Sequence, residues 1–547
     1  MKNKAIFVWT SVLNAFFVWF QISEFILAKE HAYKWTVPTI LLTVALSVIV
    51  GILLSYIFFF VYSTVVKRIK PRTGEKEHRL ERFVKFPVLW AAFFLSYVPM
   101  YLIFYPGICA YDTNVQLEQV ISGNYIDHHP FLHTMIIKCF YSLGEALGNI
   151  TLGMGLFVLL QMLALSAGLA VSVALLKKKG LGYAWQVAIV LFLLLYPYHV
   201  FMALSVTKAA LFTAAFVPLS VLLCIVLAEK KKTFRPSGAE IAVFLLCFPV
   251  IAFRTNARYA LLVLCVMLLL MTVFSKTNRR HYARALCAIG FGLVTSLLII
   301  GSLYRHFNVT QADRREMLSV PIQQLARVAY YHSDELSEEE MTEINNFILD
   351  EAWKDYDPFL ADPAKKHVNT NRLLVNPKGM LNTYTGLLFR YPGDYVNAVL
   401  SLDAGYLYLA DKSCLRIYGD HFGYGLVQTA GADIIREYGI ERKGMFKNAL
   451  NRVEKCLSDN TIQNIPVLGI FLRPASVLWV YLYFGLWAIH RKRYFVFASE
   501  ILALAYIATL LVGPTVQLRY IYPVMALLPV LIATGNIGKG NDSLITL

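Results

Sequence analysis

The chain has 547 residues, 57% of them apolar and only 16% charged, with a mean hydropathy of +0.55. Soluble domains carry about 25% charged residues, so this composition excludes an ordinary cytosolic enzyme and points to membrane spans. The formal net charge of +16 would suggest nucleic acid in a soluble protein, but its meaning depends on where the charges sit.

In chain order, apolar runs long enough to cross a hydrocarbon core of about 30 Å are expected near 5–27, 36–66, 84–105, 151–176, 182–199, 207–228, 258–275, 283–304, 466–489, 494–513 and 518–535. A further run, 239–253, is short and is followed by Arg254-Thr255-Asn256-Ala257-Arg258, which predicts a helix that turns at the outer surface. The sum is twelve crossings. Basic clusters at Lys67/Arg68/Lys70/Arg72, Lys177-Lys178-Lys179, Lys230-Lys231-Lys232, Lys276/Arg279/Arg280 and Arg491-Lys492-Arg493 occupy every second loop. Lys and Arg in short loops stay cytoplasmic, so both termini are expected in the cytoplasm, and most of the +16 needs no nucleic-acid partner. The first 27 residues lack a small-residue cleavage site and read as a retained helix.

The expected fold class is an all-α polytopic membrane protein. Two leading helices and a basic loop (1–83) precede a transmembrane core (84–304) with an external loop at 106–150. A mostly helical external domain (305–465) and C-terminal helices (466–547) follow. In the external domain, Ser337 and Glu340 form a capping-box pattern ahead of Met341, Ile344 and Ile348, and further helix is expected around 430–456. No tandem repeat is visible. Cys224, Cys247, Cys265 and Cys287 read as packing residues within spans, while Cys109, Cys139, Cys414 and Cys456 face outward. A Cys414–Cys456 disulfide is an open option there.

Walker, HExxH, nucleophile-elbow and CxxC patterns are absent, which removes the usual support for ATP-driven, zinc-hydrolase, serine-hydrolase and thiol-redox chemistry. Asp355-Tyr356-Asp357 spells a short DxD, but it falls in the external domain, where nucleotide sugars are not supplied, and reads as a solvated helix end before Pro358. The first external loop is denser in chemistry. Pro106-Gly107 turns the chain at the membrane face, and Asp112 follows six residues later, either as a cap for a helix near Thr113 or as a base that takes a proton from an attacking hydroxyl. Asp127-His128-His129-Pro130 opens a second helix, with His133 one turn on. Together with Gln116 and Asn256 these residues are candidates to hold an acceptor or a divalent metal, or they simply cap the helix.

Lys208, Arg254, Arg258, Arg473 and Arg519, the last followed by Tyr520, lie at the outer ends of spans, against the positive-inside preference. Each alone could snorkel to the interface; as a set they suit a shared anion site, because Arg and Lys match phosphate.

The order and sidedness of these features resemble the C-type glycosyltransferase superfamily, closest to a bacterial branch of large polytopic proteins. The features are a membrane-edge Pro-Gly, Asp112, the Asp-His-His-Pro helix start, Lys208, the Arg-x-Asn turn and the late Arg-Tyr-x-x-Pro. Leu318-Ser319-Val320-Pro321-Ile322-Gln323-Gln324-Leu325-Ala326-Arg327, Tyr356-Asp357-Pro358 and Asp362-Pro363 are similar to that branch too, and the likeness runs from about 84 to 535. The chain departs from the pattern at Ala209, where an acidic residue often follows the Lys, and at Ala257, where Gly is usual.

The resemblance implies a polyprenyl-phosphate-linked sugar as donor, an extracytoplasmic glycan acceptor such as a cell-surface polysaccharide, and inverting transfer at the outer face of a bacterial cytoplasmic membrane. It gives Asp112 the catalytic role and Lys208, Arg254 and Arg519 the departing phosphate. No nucleotide is needed and no cofactor is required, although Mg or Mn at the Asp/His group stays open. The domain at 305–465 would cover the site, with Trp353 and Tyr356 toward the acceptor. Two alternatives remain: a transporter or flippase of lipid-linked saccharides, and a surface-glycan polymerase or ligase.

Overall fold

The computed structural model describes residues 2–64, 81, 83–109, 111–229, 235–275, 278–410, 435–459 and 461–536. Among these residues the regular structure is helical, with isolated bridges only. The first half contains α1 (Lys2–Glu30), α2 (Val37–Thr64), α3 (Phe86–Phe104), α4 (Tyr111–Ser122), α5 (Phe131–Ala146), α6 (Ile150–Lys178), α7 (Tyr183–Leu195), α8 (Pro197–Leu204), α9 (Lys208–Ala228), α10 (Gly238–Phe253), α11 (Ala257–Phe274) and α12 (Arg279–His306). A polar domain follows with α13 (Ser319–His332), α14 (Glu338–Phe347), α15 (Asp362–Lys365), α16 (Arg372–Val375), α17 (Pro377–Arg390), α18 (Pro392–Leu407) and α19 (Lys447–Ser458). The chain closes with α20 (Leu468–Phe471), α21 (Pro474–His490), α22 (Tyr494–Leu510) and α23 (Leu518–Thr534).

Among the described residues, seven helices are long and apolar enough to cross a membrane, or eight if α7 and α8 form one span. The protein is a helical, membrane-embedded chain. The run expected as one span over 182–199 bends by 51° between Leu195 and Pro197, because Pro197 has no N–H to continue the ladder. Three more apolar helices, α10, α22 and α23, are shorter.

α9 is the central element, with 94% of its most apolar window buried, and it packs against α6, α10, α22 and α23. Gly168 on α6 permits that crossing, since a Cβ there would meet the Ala214 carbonyl oxygen at 2.3 Å. α1 and α2 form a hairpin that leans on α18 and α21 through Gln21 to the Leu407 carbonyl (2.8 Å) and Trp35 to Asn397 (3.0 Å).

The polar domain has its own core of Ile322, Leu325, Phe347, Trp353 and Leu387. The Ser337–Glu340 capping box is present at the start of α14. Trp353 and Tyr356, expected toward an acceptor, are buried instead: the indole donates to Asn345 (2.8 Å), and the Tyr356 hydroxyl accepts from Arg327 (3.3 Å). Large aromatic area is worth more in this core than in a polar rim. Asp357 accepts from the Phe359 amide (2.8 Å), so the DxD stretch forms a turn. Cys414, the clusters at 67–72 and 230–232, and Lys276 lie outside the described residues. Cys456 is a free thiol among those described.

Candidate functional site

A short backbone pairing brings the two halves of the site together. After the cis Tyr105–Pro106 bond, Gly107 adopts φ 138°, a region that disfavours side chains, and a Cβ there would meet Val158 Cγ2 at 2.5 Å. Ile108 then pairs with the Ser205 segment: its amide donates to the Leu204 carbonyl (3.0 Å), and the Val206 amide donates to the Ile108 carbonyl (2.8 Å). Thr113 ties α4 to the same segment through the Val206 carbonyl (3.0 Å), and Gln161 holds the Ser205 carbonyl (2.9 Å). The N-terminal turns of α4 and α9 are thereby fixed side by side, and they carry Asp112 and Lys208.

α5 is joined to α4 by Gln116, whose amide donates to Thr134 (2.9 Å) and whose Oε1 lies 3.1 Å from His133 Nδ1. This link places His129 within reach of Asp112. On the third side, α10 ends at Arg254, whose guanidinium donates to the Arg519 carbonyl (2.8 Å) and lies over the Tyr520 ring at 5.0 Å. Arg519 donates through Nε to Gln517 (3.0 Å), and Tyr506 donates to the Tyr520 carbonyl (2.8 Å).

Asp112 closes the cluster. One carboxylate oxygen lies 3.5 Å from Lys208 Nζ and 3.8 Å from His129 Nδ1, and the other lies 3.4 Å from Arg519 Nη2. Lys208 and His129 are 3.5 Å apart. Side-chain exposures of 14% for Asp112, 17% for Lys208 and 8% for Arg519 mean that little solvent screens these charges. Burial pushes the Asp112 carboxyl up, but Arg519 and Lys208 outweigh it and hold the group well below the usual carboxylate range. Burial, with Lys208 beside it, takes His129 down to about 3 against the pull of Asp112, so this imidazole is neutral at pH 7. Burial likewise takes His133 down to about 3. Two cations, Lys208 and Arg519, therefore face one carboxylate, with Arg254 behind Arg519, and the imbalance favours an anion.

The remaining expected residues have other partners. Asp127 and His129 both precede α5, and Asp127 does not cap it: it accepts from the Ala312 amide (2.5 Å), beside an Ile126–Thr310 bridge, and fastens the loop to the polar domain. His128 packs edge-on against His129 at 4.7 Å. Asn256 donates to Thr509 (2.8 Å), Arg258 donates to Tyr259 (2.9 Å), and Arg473 donates to the Leu409 carbonyl (2.5 Å). Among the described residues no three His, Cys, Asp or Glu side chains converge to hold a metal ion. Thr113 and Tyr506 had no sequence signal, since they act through backbone carbonyls 93 and 14 residues away, and Gln517 had none because a glutamine beside an arginine is common.

A family model matches residues 122–539, about three quarters of the chain, and the family it describes is one of unknown function, DUF6020. The chain belongs to the DUF6020 family. No curated protein and no solved structure matches it. The DUF6020 match includes His129, Lys208, Arg254 and Arg519 and begins ten residues after Asp112, so the carboxylate and its cations straddle its edge.

Proposed function

We propose that this protein transfers a sugar from a polyprenyl-phosphate donor to an extracytoplasmic acceptor such as a cell-surface polysaccharide. The observation that carries the reading is Asp112 held between Lys208 and Arg519, with Arg254 behind them. An acceptor hydroxyl oxygen attacks the sugar C1 while the bond from C1 to the phosphate oxygen breaks. The electron pair stays on the phosphate, and the hydroxyl proton passes to Asp112. Negative charge grows on the departing phosphate, where preorganised cations contribute most.

The free site holds Asp112 ionised but weakly basic. A bound phosphate competes for Lys208 and Arg519 and reduces their pull on the carboxylate, so donor binding raises its affinity for a proton. Base and leaving group are thus coupled through the same two cations. The neutral imidazole of His129, 3.5 Å from Lys208 Nζ and 3.8 Å from the Asp112 carboxylate, supplies a further hydrogen-bonding group beside the pair.

The natural setting is a bacterial cytoplasmic membrane, crossed about twelve times, with both termini in the cytoplasm and the site at the outer face. Purified protein given a polyprenyl-phosphate hexose and a mixture of cell-envelope glycans tests the chemistry. Asp112→Asn should lower transfer by about 10²-fold or more, the scale of a lost general base. Unimpaired transfer by that variant removes Asp112 from the reaction.

A further inference from the structure

A cavity of about 430 Å³ opens between the first turns of α10 and α12. The two helices run in the same direction and touch at Gly292, where a Cβ would meet Cys247 Sγ at 2.8 Å and the Phe244 carbonyl oxygen at 2.9 Å. Toward their N-termini they part, and the Glu240–Arg284 ion pair spans the gap. α10 ends at Arg254, so at a rise of about 1.5 Å per residue the cavity lies roughly 20 Å along that helix from the Asp112 cluster.

The walls are apolar and open outward. Ile241 and Phe244 on α10 and Cys287, Ala288 and Phe291 on α12 line them, with Ile241 48% and Phe291 67% exposed, as suits a groove that a lipid chain covers. The inner wall differs: Arg284 lines the cavity at 9% exposure, and its Nε has no hydrogen-bond acceptor among the described residues. A buried guanidinium N–H in that condition is costly until an acceptor arrives. The mouth is basic. Arg280 stands one turn before Arg284 on the same face of α12, and Arg235 directly precedes Pro236, which lines the cavity; both are exposed, as is Arg279. α12 starts here without a side-chain cap, so its first amides add partial positive charge.

We propose that this seam binds an anionic phospholipid, with the headgroup phosphate against Arg235 and Arg280 and one acyl chain in the groove beside Cys287 and Phe291. The site does not depend on the transferase reading, since it lies at the opposite end of α10 from Lys208, Arg254 and Arg519. Guanidinium groups match phosphate oxygens, and basic pockets between membrane helices at the cytoplasmic surface hold anionic headgroups. The ester oxygens, one step below the phosphate, supply the acceptor that Arg284 Nε lacks. A zwitterionic headgroup brings a cation that the arginines repel, and free phosphate has no chain to fill the groove.

Full-length protein retaining only Cys287, an exposed thiol in the groove, tests the site in a neutral detergent. Its alkylation by N-ethylmaleimide should slow about tenfold when phosphatidylglycerol is added, the scale of one or two arginine contacts to a headgroup. The rate should stay unchanged with phosphatidylcholine or inorganic phosphate. Arg235→Gln combined with Arg280→Gln, two exposed positions, should abolish the protection. If the single-cysteine variant does not fold, native mass spectrometry of the unmodified chain decides the matter. One phosphatidylglycerol should then stay bound in preference to phosphatidylcholine and be lost in the double arginine variant. No protection, equal protection by phosphatidylcholine, protection by inorganic phosphate alone, or undiminished binding in the double variant overturns the site.

Discussion

Asp112 illustrates how a single side chain can be fixed by its opposite charges and still await a ligand. Its two nearest cations lie at 3.5 and 3.4 Å, longer than the about 2.8 Å of a direct charge-assisted hydrogen bond, so they hold the carboxylate by charge and keep N–H donors for a phosphate. The histidines beside it give a pH signature. His129 and His133 are depressed from 6.5 to about 3, so between those values the unfolded chain binds protons that the folded chain refuses. Stability must rise with pH through that window and be lost as pH falls, and Asp112, also depressed, adds loss of the same sign below 3.8. Thermal unfolding at pH 7 and pH 5 should show a lower midpoint at pH 5. His133→Gln should narrow that difference, and equal midpoints at the two pH values would contradict the burial of neutral imidazoles.

Elements carry charges for a different purpose. Glu240 on α10 and Arg284 on α12 form a 2.5 Å ion pair with side chains 6% and 8% exposed, and Glu240 also completes a capping box with Ser237. Removing one partner leaves the other buried and unpaired. Arg284→Leu alone should destabilise by about 3–5 kcal/mol, whereas Glu240→Leu with Arg284→Leu should recover most of that loss. Thermal unfolding of the two single variants and the double variant checks it. If the double variant is as unstable as the sum of the singles, the pair is not what joins α10 to α12. The same logic separates this pair from the Asp112 cluster, in which one acid faces several bases and the surplus is left for a ligand.

For the whole molecule, sidedness and metal dependence are open to direct measurement. The proposed topology, with α5 on the outer side, predicts that a variant retaining only Cys139, an exposed thiol, reacts with membrane-impermeant maleimide in intact cells. Labelling only after permeabilisation would invert the topology. The described donors gather no three-ligand metal set, and the proposed chemistry places phosphate on Lys and Arg. Transfer should therefore persist in excess EDTA, and a loss restored by Mg or Mn would show that a cation completes the site.

Much of the element order was legible in the sequence, because apolar length is a local property: α1, α2, α3, α6, α9, α11 and α12 follow directly from their runs. Pro106-Gly107 and the Ser337 capping box were legible for the same reason, since turns and caps involve neighbours in sequence. Asp112, Lys208, Arg254 and Arg519 stood out because an ionisable group at a span end is costly and rarely idle. Residue type and position could not say which of the outer cations belong together: apart from the resemblance, Arg258 and Arg473 had equal standing with Arg254 until their partners were seen. Asp127 likewise looked like a companion of His129 until it met Ala312, and Trp353 and Tyr356 looked exposed until they formed a core. The sequence alone determined a membrane-embedded helical chain with an excess of cations. The tertiary structure decided which of them share one carboxylate, because charge pairing depends on distance in space and here joins Asp112 to Arg519, about 400 residues away in sequence.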